Sequence, residues 1–122
     1  MKICITSEGN DLISKVDQRF GRCQYFIFID TDTSQFEAVQ NQNVNGSGGV
    51  GVQSGQLVAE KQAKIVLTGK VGPNASQTLE SAGIEVILDA QGTIKEVLDR
   101  FKKGELKPTK GPNADEKAGL NK

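Results

Sequence analysis

This 122-residue sequence predicts an α/β domain built on a five-stranded mixed sheet with flanking helices. Its first half holds apolar runs joined by a polar link too short for a crossover, which implies an antiparallel hairpin. Its second half alternates short apolar strands with amphipathic stretches, which implies right-handed crossovers and parallel pairing. Glycine stops and a capping signature mark where those stretches begin and end.

Lys2 to Thr6 is a β-branched run centred on Cys4 and closed by the turn residues Ser7-Glu8-Gly9-Asn10-Asp11, so it reads as the first strand. Tyr25 to Ile29 is the second and Phe36 to Gln40 the third, with Asp30 to Gln35 as the hairpin link. A glycine-dense loop, Asn45 to Gly51, leads to a helix expected over Gln53 to Ala63. Ile65-Val66-Leu67 forms strand four and closes on Thr68-Gly69. Gly72-Pro73-Asn74-Ala75 opens a second helix, because proline at the first turn lacks only an N–H that has no intrahelical partner there. Ala75, Leu79 and Ala82 share one face of it, and Gly83 is its stop. Ile84 to Leu88 is strand five. Thr93 and Glu96 then make a capping box for a third helix with the stripe Ile94, Val97, Leu98 and Phe101, ending at Gly104. The order is β-β-β-α-β-α-β-α, with helices expected on both faces of the sheet. Residues 1–104 make the single domain. Residues 105–122, rich in Lys, Gly, Pro and Asn with only Leu106 and Leu120 as large apolar side chains, are expected to be a disordered tail.

Fifteen basic and fifteen acidic residues cancel, which leaves no general electrostatic footprint for nucleic acid or an anionic membrane surface. No run approaches the roughly 20 apolar residues of a membrane helix, and the start lacks a signal peptide's h-region, so a cytoplasmic protein is expected. Two cysteines and no histidine fit neither a disulfide scaffold nor a structural zinc site. The missing histidine also removes Ser-His and Cys-His nucleophiles. The first strand offers no carboxylate for a metal-dependent nuclease, and no Walker Lys-Ser/Thr pair exists for ATP hydrolysis. The expectation is a non-enzyme.

The segment Arg19-Phe20-Gly21-Arg22-Cys23 crowds two cations and a thiol into a turn before the second strand. Cationic neighbours favour the thiolate, the metal-binding form, so Cys23 reads as a low-pKa soft ligand for iron-sulfur species; the bland alternative is a small apolar residue in a solvated loop. Cys4 at mid-strand reads as core. The loops Gly46 to Gly51 and Thr68 to Asn74 should reach the carboxyl edge of the parallel strands, where helix N-termini and bare amides make an anion site. Tight turns alone would explain the same glycines. One exposed cysteine falls short of the roughly four thiolates of a conventional cluster. A cluster would then be held transiently, with exogenous ligands, or between protomers of a homo-oligomer.

Three stretches carry a family resemblance: Val16 to Phe26, Gly48-Gly49-Val50-Gly51-Val52-Gln53, and Leu67-Thr68-Gly69-x-x-Gly72-Pro73-Asn74-Ala75 followed by Leu79 and Ala82-Gly83-Ile84. Together they resemble the dinitrogenase iron-molybdenum cofactor biosynthesis family over residues 1–104. The resemblance implies a ribonuclease H-like mixed sheet and a non-catalytic protein that binds and carries iron-molybdenum cofactor or iron-sulfur precursors for nitrogenase assembly, with assembly or acceptor proteins as partners. On that reading Cys23 is the metal ligand, Arg19 and Arg22 are its cationic support, Phe20 and Gly21 complete the turn, and Gly48, Gly49, Gly51, Thr68, Gly69, Gly72 and Asn74 line the site. The alternative is a small-anion or nucleotide-binding module that uses the same glycine loops, with no metal role.

Overall fold

The computed structural model describes residues 1–42 and 50–109. The elements are β1 (Lys2–Ser7), β2 (Tyr25–Asp30), β3 (Phe36–Gln40), α1 (Val50–Glu60), β4 (Ile65–Leu67), α2 (Pro73–Ser81), β5 (Glu85–Ile87) and α3 (Ile94–Lys102). They follow the expected order. The strands form one mixed sheet in the order β3-β2-β1-β4-β5. β1 is antiparallel to β2, with Cys4 opposite Phe28, and parallel to β4, with Ile5 opposite Leu67. β2 and β3 make the expected antiparallel hairpin, and β4 and β5 run parallel.

Alternate residues of the central strands feed two cores, as a period of two requires. Cys4, Phe26, Phe28, Val66 and Val86 pack under Val58 of α1 and Ala75 and Leu79 of α2. Ile3, Ile5, Ile27, Ile29, Ile65, Leu67 and Ile87 pack under Ile94, Val97 and Leu98 of α3. The helices therefore cover both faces. At α3 the Thr93 side chain accepts the Glu96 N–H while the Glu96 carboxylate accepts the Thr93 N–H, so the capping box is complete. Gly83 and Gly104, at φ 74° and 75°, take the left-handed positions that follow α2 and α3.

Besides shifts of one residue at the ends of β1, β2 and β5, two regions differ from the sequence expectation. α1 begins at Val50, three residues before Gln53, because Gly51 and Gly55 serve as contact points against α2. A Cβ at Gly51 would lie 2.9 Å from the Ala75 Cβ, and one at Gly55 would lie 2.7 Å from the Thr78 Cγ2. The helix stops at Glu60 and the chain leaves it through Gln62, at φ 65°. The second difference is the tail. Leu106 packs against the α3-side core, and the Thr109 N–H donates to the Val86 carbonyl along the outer edge of β5. The ordered body thus extends past Gly104 to at least Thr109, because one leucine and one strand-like bridge tie the chain down; residues 110–122 lie outside the described residues.

A chain ended at Gly104 should lose about 2 kcal/mol of stability, from one hydrogen bond and one partly buried leucine. Urea unfolding of the two lengths measures it.

Candidate functional site

The carboxyl ends of β1, β4 and β5 lie along one sheet edge, together with the start of β2 and the end of β3. That edge collects the loops that follow β1, β3 and β4.

The 19–23 turn is assembled around a buried acid. Asp17, only 3% exposed, accepts the backbone N–H of Arg19 at 3.1 Å and of Gln24 at 3.2 Å, and the Arg19 Nε at 3.4 Å. One carboxylate therefore ties both ends of the turn. From the other side Asn41, 5% exposed, donates its side-chain amide to the carbonyls of Gly21 at 3.0 Å and Cys23 at 2.9 Å. Gly21, buried and at φ 92°, supplies the left-handed bend. Phe20 anchors the turn below, packed edge-to-face on Phe26 with centroids 6.0 Å apart.

This turn lies alongside the β4–α2 loop. The Phe20 N–H donates to the Lys70 carbonyl at 3.0 Å, and the Lys70 N–H donates to the Gln18 carbonyl at 2.7 Å. Arg19 and Lys70 are parallel bridge partners, so their exposed side chains stand on the same side of the pairing. Two residues further on, Gly72 is the N-cap of α2, with Pro73 in its first turn and no side-chain cap hydrogen bond. Asn74 is exposed in that turn, and Ala75 is the residue that meets Gly51 of α1. The first turns of two helices and the cations Arg19, Arg22 and Lys70 thus face one edge, an arrangement that favours an anion.

Several expected site residues have other work. Cys23 is fully buried in the core under α1 and α2, together with Cys4. Burial pushes its thiol well above the ordinary cysteine value of 9.0, and the Asp17 carboxylate pushes further up; the backbone N–H groups of Cys23 and Gly21 and the charge of Arg19 act the other way and lose. Cys23 is therefore not the exposed low-pKa thiolate that its cationic neighbours suggest. Cys4 is buried as expected, and its thiol is raised by burial and then by Cys23. Among the described residues no group of three or more His, Cys, Asp or Glu could hold a metal ion. Thr68 is fully buried, and its N–H donates to the Ile87 carbonyl. Its hydroxyl lies 2.7 Å from the Thr6 hydroxyl. Because Thr6 spends its proton on the Asp17 carbonyl, Thr68 donates to Thr6 and is a structural residue, not a ligand donor. Gly69 is a close-approach residue: a Cβ there would fall 2.7 Å from the Gln18 Cα. Gly51 sits inside α1 rather than in the loop, and Gly48 and Gly49 lie outside the described residues.

Sequence reasoning missed Lys70, which only the bridge to Arg19 reveals, and Asn41.

The family described as dinitrogenase iron-molybdenum cofactor matches residues 1–104, and the chain belongs to that family. Membership links it to iron-molybdenum cofactor or metallocluster biosynthesis or binding. Among solved structures it is similar to the apo form of the orange protein of Desulfovibrio gigas, with 38% identity, a TM-score of 0.89 and coverage of 93% of this chain and 96% of that one. It is also similar to a candidate NifB protein of Thermotoga, with 36% identity, a TM-score of 0.77 and coverage of 88% and 91%. An uncharacterized protein of Methanocaldococcus jannaschii is 28% identical over 109 residues, 87% of this chain and 89% of that protein.

The two buried thiols set an alkaline limit. Their folded-state pKa values are raised above the ordinary 9.0, so in this range the unfolded chain releases protons that the folded chain keeps. Their contribution is fully present below about pH 9 and is lost above it, by up to about 1.4 kcal/mol per pH unit for each thiol. Urea unfolding at pH 8, 9 and 10 should show a steeper fall for the wild type than for a Cys4→Ala, Cys23→Ala chain; equal slopes would contradict the burial argument.

Proposed function

We propose that this protein is a non-catalytic carrier for an anionic iron-sulfur or iron-molybdenum-type cluster or its precursor, bound at the edge where Arg19, Arg22 and Lys70 stand beside the opening turn of α2. The observation that supports it most is the pairing of the 18–20 segment with Lys70, which sets the cationic turn against the uncapped N-terminus of α2, inside the stretch that the family matches. In this reading the cluster is cargo. Cations and backbone amides hold it, and Cys23 supports the turn from beneath instead of bonding to metal. Assembly or acceptor proteins of metallocluster pathways are the partners that load and unload it.

The glycine-loop alternative, a nucleotide or small-anion module with no metal role, loses one of its donors, since the N–H and hydroxyl of Thr68 are spent inside the fold.

Charge-assisted hydrogen bonds contribute about 1.5–3 kcal/mol each. Anaerobic incubation with ferrous iron, sulfide and a small exogenous thiol that supplies the terminal ligands, followed by gel filtration and quantification of iron and sulfide per chain, should therefore show retention by the wild type and by Cys23→Ala, and loss of at least about tenfold in apparent affinity for Arg19→Ala combined with Arg22→Ala. No retention by the wild type, together with amide shifts at Gly72, Asn74 and Ala75 on phosphate titration, would transfer the assignment to the anion module. Loss of retention in Cys23→Ala alone would restore the thiolate as ligand.

A further inference from the structure

We propose that Asn41 is the positioning residue of this edge: it holds Arg22 outward and Cys23 inward. The inference rests on the carrier reading for its role in binding, while its structural half stands separately.

Asn41 is the first residue after β3. Its side-chain amide donates to the carbonyls of Gly21 and Cys23, the residues on either side of Arg22. Its backbone N–H donates to the Gln24 carbonyl at 2.9 Å. Three carbonyls of the turn are thereby drawn toward one buried residue. With both flanking carbonyls turned inward, the Arg22 side chain faces solvent and is exposed, while the Cys23 side chain has no exposure at all. Asp17 supplies the complementary half of the clamp, because it accepts N–H groups where Asn41 donates them. Asparagine is the residue type that this task requires: its NH2 carries two donors on one atom and can reach two carbonyls at once. A serine offers one proton on a shorter arm.

The test uses Asn41→Ser, with Asn41→Ala, which also removes the amide donors, in its place and with the same expected outcomes should the serine variant fail to fold. Iodoacetamide labelling read by mass spectrometry separates local from global opening, since Cys4 lies in the middle of β1 and Cys23 under the turn. Cys23 should label roughly tenfold faster or more in Asn41→Ser than in the wild type, with Cys4 unchanged, as expected for losing about one buried hydrogen bond from a local unit. Labelling that is unchanged, or that rises equally at both cysteines, overturns the clamp. The binding half is read by a double-mutant cycle on iron and sulfide retention. Arg22→Ala should cost much less in the Asn41→Ser background than in the wild type, because the arginine is already misplaced. A full and equal Arg22→Ala loss in both backgrounds overturns the positioning role. No retention by the wild type overturns the carrier reading and Asn41's role in it, and the cysteine labelling then still decides the clamp.

Discussion

The end of β1 is the constraint on which the rest of the sheet edge depends. β1 is the middle strand, bonded on both sides and buried on both faces, and Ile3 to Ser7 are all buried. A strand that ends inside the protein must find partners there for every polar atom, since an unmet buried donor or acceptor costs about 1–3 kcal/mol. Thr6 meets this by giving its hydroxyl proton to the Asp17 carbonyl and accepting from Thr68, while the Asp17 N–H returns to the Thr6 carbonyl at 2.9 Å. The excursion from Glu8 to Val16 therefore has to come back to the strand it left. That return places Asp17 at the base of the turn, with its carboxylate available to tie Arg19 to Gln24. Thr68 is recruited in the same step, which brings the β4–α2 loop alongside and makes the pairing of Phe20 with Lys70 a consequence of how β1 ends.

The same constraint explains why the thiol in the cationic turn is not a thiolate. Two cations near a sulfur favour its charged form, but Arg19 is exposed and its field is weakened by water, with 60% of its side chain accessible. Burial acts on the sulfur with no such screening. The nearest carboxylate, Asp17, works in the same direction as burial. An acid placed to organise the turn therefore opposes ionisation of the cysteine within it. The positive charge of the segment is directed to solvent through Arg19 and Arg22, and the sulfur is directed to the core.

Most of the architecture was legible because each element carries a local signal with one physical meaning. The capping box at Thr93 and Glu96, the stops at Gly83 and Gly104, and the five-residue link between β2 and β3 act over a few residues and need no tertiary context. What escaped depends on contacts between distant positions. Gly51 looks like a loop residue until Ala75 is set against it, and then Gly51 and Gly55 together are what lets two helices touch. Asn41 reads as an ordinary residue after a strand, since its acceptors lie 18 and 20 positions earlier. Lys70 becomes part of a cationic edge only through its bridge to Arg19. Cys23 was misread because proximity of charge is visible in sequence whereas depth is not. The segment from Glu105 to Thr109 looked like tail because one leucine in a polar stretch carries little signal until a core surface is there to receive it.

The proposed site has a property that suits a carrier better than a resident metal centre. A cluster bonded to several protein thiolates is released only by breaking metal–sulfur bonds, whereas one held by exposed guanidinium groups and backbone amides is held by interactions that salt screens and a partner's surface can replace one at a time. The chain is formally neutral, so on the proposed carrier reading long-range attraction would not hold the cargo, and selectivity would rest on the local placement of Arg19, Arg22 and Lys70. Local placement is what the Asp17 and Asn41 hydrogen bonds supply, because a long arginine side chain on a loose turn would lose in conformational entropy much of what it gains in contact. On that reading a firm backbone carrying exposed cationic side chains would recognise a small anion by shape and charge and still let it go.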